Sequence, residues 1–129
     1  MSSADRHDPA RRNSKDQLFF IQFKAVPAAD NERLAQYGGA YASAWVDAEI
    51  LEDAWEKAFL SIEAAGWSPV KLMHWDIVRR DDYSAAIHGE DDLRTIRQSI
   101  ATAIQHGVGL MLSAWPKRAR KRGGRSKKN

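Results

Sequence analysis

His74 and Asp76 stand two residues apart in a stretch of extended character, so their side chains leave one face and present an imidazole and a carboxylate to a metal ion or an acid–base step. His88 is a candidate third group. No HExxH-like or carboxylate-triad spacing accompanies them, and such pairs arise often by chance. The simpler expectation is that these side chains are satisfied or face solvent. No catalytic, metal or cofactor-binding residue is therefore assigned, and the small enzyme or metal-binding protein using His74, Asp76 and His88 stands as the alternative reading.

The stronger chemical signal is charge. Lys117, Arg118, Arg120, Lys121, Arg122, Arg125, Lys127 and Lys128 bring eight positive charges and no acid into residues 117–129. The whole chain carries +3, so the remainder carries −5. A basic segment with no apolar residue beyond Ala119 cannot bury itself and is expected to be disordered when free. It suits phosphate neutralisation by counterion release, which gives weak, salt-sensitive binding to nucleic acid without sequence preference, because no aromatic ring within it can stack on bases. The competing reading is a solubilising end, or one that folds back on the acidic body. An anionic membrane surface would need a second anchor that the sequence lacks.

Five tryptophans in 129 residues also ask for a role. Trp55 falls in a helix stripe and reads as core, and Trp67 follows Gly66, where an apolar contact often closes a helix. Tyr41, Trp45 and Trp75 are expected on the sheet face turned away from the helices, where rings form a ligand platform, a stacking surface or a dimer interface. Dimerisation is the favoured reading of the three.

The elements that must position these groups follow from two hydrophobic periods. Phe19, Ile21 and Phe23 alternate with Gln22 and Lys24, giving a strand over Leu18–Ala25. Ala40, Ala42, Ala44, Val46, Ala48 and Ile50 alternate with Tyr41, Ser43, Trp45, Asp47 and Glu49, giving a second strand whose low alanine face allows a helix to approach closely. The polar connection from Val26 to Gly39 is long for a hairpin and leaves room for a helical turn around Glu32–Tyr37. Leu51, Ala54, Trp55, Ala58, Phe59 and Ile62 form a helical stripe, with Asp47 as its candidate N-cap. Gly66 and Pro69 end it. The alanine content of residues 40–65 also permits one continuous helix there.

Val70–Val78 reads as a third strand. Glu90, Asp91 and Asp92 start a second helix with Leu93, Ile96, Ile100, Ala103 and Ile104 on one side, and Val108–Trp115 reads as a fourth strand. The order ββαβαβ predicts an α+β two-layer sandwich, a mostly antiparallel four-stranded sheet with two helices on one face, which resembles in plan the ferredoxin-like superfold. That superfold hosts many unrelated activities and implies none.

The organisation expected is a disordered leader over residues 1–17, one domain over 18–116 and the disordered basic tail over 117–129. Arg11 and Arg12 are followed by too short an apolar block for a signal peptide, and no run nears the ~20 apolar residues of a membrane span. The absence of cysteine excludes disulfides and thiolate metal sites and fits a reducing cytoplasm. The function read from the sequence is a non-enzymatic binding or interaction module, a homodimer without cofactor or membrane anchor, whose tail binds nucleic acid weakly.

Overall fold

The alternation around Ile21 forms β1 (Gln17–Pro27) in the computed structural model of the protein, which describes residues 10–83 and 88–117. A single 3-10 turn at Glu32–Leu34 occupies the polar connection, entered through Asn31, whose side-chain oxygen accepts from the Arg33 backbone N–H. β2 (Tyr37–Val46), α1 (Leu51–Ala64), β3 (Trp67–Arg79), α2 (Glu90–His106) and β4 (Val108–Pro116) follow. All neighbouring strands are antiparallel, in the order β3-β1-β2-β4. Pro69 is tolerated in β3 because that strand forms an edge of the sheet, where a missing backbone donor costs no ladder bond on the open side.

The long-helix reading of residues 40–65 is not realised: β2 and α1 are separate, as the alternation predicts. The strand lies earlier than Ala40–Ile50, because Tyr37 and Gly39 already pair with β4 and the chain turns after Val46. Asp47 does not cap α1. Ile50 occupies that position without a side-chain hydrogen bond, and Asp47 instead pairs with Arg12.

The two helices do not share a face. α1 lays Ala54, Ala58 and Ile62 on Phe19, Ile21, Phe23 and the alanines of β2. α2 lays Ile96, Ile100 and Ala103 on Leu18 and Trp45, with Phe20, Val78, Tyr83 and Met111 around them. Successive strand residues point to opposite faces, so the sheet is sandwiched between the helices in three layers. The expected two-layer plan fails because β1 carries Leu18 and Phe20 opposite Phe19, and β2 carries Trp45 opposite Ala44, so both faces need cover. The ferredoxin-like plan fails with it, since that plan runs βαββαβ along the chain and gathers its helices on one side.

Gly109 decides how closely α2 approaches. A Cβ at that position would sit 1.7 Å from the Ser99 carbonyl oxygen, so only glycine lets the helix backbone rest on β4. The Ser99 hydroxyl adds a bond to the Leu110 carbonyl.

Residues 10–17, in the second half of the expected leader, contact the segment that enters α1. The Arg12 backbone N–H donates to the Glu49 carbonyl at 2.9 Å, and the Leu51 N–H donates to the Ala10 carbonyl at 2.7 Å. The Arg12 guanidinium, 10% exposed, reaches the Asp47 carboxylate and the Gln17 carbonyl. Residues 10–16 thus meet the start of α1; residues 1–9 lie outside the described residues. Among the described residues, no helix is long and apolar enough to cross a membrane.

Candidate nucleic-acid interface

α2 covers one end of its sheet face. There, Asp76, Phe20, Trp45 and Gly109 lie side by side across the four strands. The next row is His74, Gln22, Ser43 and Met111, and the one beyond it is Lys71, Lys24, Tyr41 and Ser113. Directly paired residues share a face, and rows repeat about every 7 Å along the strands. Met111 still packs into the α2 cluster, whereas Lys71, Lys24, Tyr41 and Ser113 are exposed. The face is therefore half helix-covered and half open.

The open half carries two rings. Trp115 pairs with Gly39, and its indole lies across both glycines of β2: a Cβ on Gly39 would come within 2.4 Å of the ring, and one on Gly38 within 3.2 Å. The pair Gly38 and Gly39 thus creates the shelf on which the indole rests. Tyr41 meets that indole with ring centroids 5.1 Å apart and planes inclined by 58°. Lys24 and Lys71 flank Tyr41 on the strand side away from β4. Among the described strand positions on this face the single carboxylate is Asp76, at the helix-covered end, where its Oδ1 accepts from the Ile77 N–H at 2.8 Å.

Chain direction brings more charge to this end. The Lys117 N–H donates to the Gln36 carbonyl at 2.7 Å, continuing the β2–β4 pairing one step past Trp115 and Pro116. Lys117 is exposed. Arg118, Arg120, Lys121, Arg122, Arg125, Lys127 and Lys128 lie outside the described residues.

The rings expected to form one surface are distributed differently. Trp45 is 1% exposed beneath α2; its Nε1–H donates to the Tyr83 hydroxyl at 3.0 Å and its ring packs on Phe20 at 5.1 Å. Burial raises the pKa of the Tyr83 phenol, an effect the Trp45 hydrogen bond partly opposes. Trp75 is on the opposite face, opposite Ile21 and packed beside Phe19. Tyr41, Trp45 and Trp75 therefore do not make a contiguous patch. Trp55 is not core: 39% exposed, it stacks on Phe59 at 5.0 Å.

His74 and Asp76 do share a face, as their spacing predicts, but His88 is not brought to them. His74 packs on Phe20, His88 packs on Tyr83, and the rings of Phe20, Trp45 and Tyr83 stand between the two imidazoles. Among the described residues no three metal-ligating side chains gather.

Sequence reasoning missed Trp115, Lys24 and Lys71. A usable signal existed, since paired glycines inside a strand mark a close approach by a bulky neighbour, though not which residue makes it. Comparison with protein-family models, curated proteins and solved structures yields no match.

Proposed function

We propose that the protein is a non-enzymatic binding module for nucleic acid, with the basic segment 117–129 supplying affinity for phosphates without reading sequence. The observation that carries this reading is the position of Lys117, which starts the basic run at the end of the sheet where Lys24 and Lys71 are exposed on a face whose strand positions there carry no carboxylate. Cations from separate parts of the chain thereby adjoin one surface of a body that is otherwise net acidic. A cytoplasmic setting suits a cysteine-free chain that meets nucleic acid. Fluorescence anisotropy with a labelled duplex at low and moderate salt tests the reading. The chain ending at Lys117, which keeps the bond to Gln36, is expected to lose most of the affinity of the full chain; equal affinity rejects the role of the tail.

A second reading, self-association, is favoured by a different feature. β3 is an edge strand of 13 residues that leaves Val70, Leu72 and Met73 exposed, an apolar edge open to pairing with a second copy. Sedimentation of the wild-type chain against Leu72→Lys separates the cases. A dimer that Leu72→Lys converts to monomer supports edge pairing, and a monomer at high concentration removes it.

A further inference from the structure

We propose that the open half of the α2-side sheet face, with Tyr41 and Trp115 as stacking rings and Lys24 and Lys71 as phosphate contacts, is a platform for single-stranded nucleic acid. This inference rests on the nucleic-acid reading above and adds the form of the ligand and the residues that select it.

The rings select the strand state. A flat sheet can offer ring faces only to bases that are already unpaired, because the bases of a duplex are stacked inside it. Tyr41 is 40% exposed at the centre of the open face. Trp115 is held beside it by the Gly38–Gly39 shelf, so its ring is pre-placed and little side-chain freedom remains to be lost on binding. The 58° inclination between the two rings forms a corner rather than a single plane, which suits two successive bases turned relative to each other.

The cations select a polyanion. Lys24 and Lys71 are cross-strand neighbours in the same row as Tyr41, which places them on one side of the rings, and Lys117 follows Trp115 two residues further along the β4 direction. A backbone running diagonally from β3 to the end of β4 would pass from lysine to rings to lysine over about three strand spacings across and two rows along, roughly 20 Å. A neutral sugar could stack on the rings but would leave the three lysines unused, and a second protein copy would meet like charges. Beyond Lys117 the chain continues for 12 residues bearing seven further positive charges, enough to follow a strand leaving the platform.

The test compares a labelled oligothymidine with a duplex of the same length, each titrated with the full-length chain by anisotropy. The wild type is expected to bind the single strand at least tenfold more tightly. Tyr41→Ala is expected to weaken the single strand about 5- to 100-fold while leaving duplex binding unchanged, and Tyr41→Phe to restore it. The double variant K24E/K71E, at exposed positions that bear on no core contact, is expected to weaken single-strand binding and flatten its salt dependence even if Tyr41→Ala lowers stability. Equal affinity for single strand and duplex, or full single-strand affinity in both K24E/K71E and a folded Tyr41→Ala, overturns the platform while leaving tail binding standing. Loss of all binding on removal of residues 118–129, with no effect of the sheet variants, likewise overturns it. Absence of binding to either probe by the wild type overturns both readings, and retained single-strand binding without the tail sustains the platform alone.

Discussion

The Trp45 indole N–H donates to the Tyr83 hydroxyl at 3.0 Å, joining the last residues of β2 to the turn that follows β3, beneath α2. An indole donor buried to this degree has no water to turn to. Tyr83→Phe removes its acceptor without altering ring volume, and the expected cost is about 1–3 kcal/mol. Thermal unfolding reads this as a fall in Tm of about 4–8 °C per kcal/mol for a domain of this size.

The same phenol gives a pH dependence. Its pKa in the folded chain is raised above the ordinary 10.0, chiefly by burial, so the folded state holds this proton longer than the unfolded state. Stability from this group is complete below pH 10.0 and is lost as pH rises from there through the folded-state value. Denaturant titrations across that alkaline range are expected to show a steeper decline for the wild type than for Tyr83→Phe. Parallel declines would assign the effect elsewhere.

Gly109 should be intolerant of the smallest change. Gly109→Ala pushes a methyl group into the Ser99 carbonyl, and α2 must lift from β4 or the strand must bend, at an expected cost of about 1–3 kcal/mol. Amide exchange distinguishes this from general weakening, since protection should fall across α2 and remain across α1, which lies on the other side of the sheet.

Arg12 holds residues 10–16 at the start of α1. Arg12→Ala is expected to cost about 1–2 kcal/mol, because the Asp47 side chain it leaves is 39% exposed and can rehydrate. The segment around residues 10–16 should then become accessible to limited proteolysis. Lysine should rescue only in part, as a point charge cannot serve carboxylate and carbonyl with the spread of a guanidinium.

His74 is exposed on β3, and His74→Ala should change stability by less than about 0.5 kcal/mol. Added zinc or manganese should leave the Tm of the wild type where it was. A clear upward shift that His74→Ala abolishes would revive the metal-binding alternative.

Element type was legible along this chain because the strands alternate and the helices carry stripes: β1, α1, α2 and β4 each fall within a few residues of where periodicity places them. Which face each helix covers was not legible. The stripe Leu93, Ile96, Ile100 and Ala103 declares a buried side and says nothing about its partner. That partner was announced faintly by Leu18, Phe20 and Trp45, apolar residues on what reads as the polar side of two strands. The open half of the face was hidden for a related reason. Lys24, Lys71, Tyr41 and Trp115 come together only through the register of three strand pairings, and the bulge between Gln22 and Phe23 shifts one of them. The lone pair His74 and Asp76, by contrast, was placed correctly on one face because two residues of one strand need no register.

The strand order β3-β1-β2-β4 puts the first two strands at the middle and the later two at the rims. As a nascent chain leaves the ribosome, the central hairpin is available before either rim has been translated. Until residues 108–116 arrive, β2 keeps an unpaired row of backbone groups. Synthesis that stalls between α1 and α2 would therefore display both that row and an uncapped Trp45, leaving the intermediate vulnerable to association with its own kind.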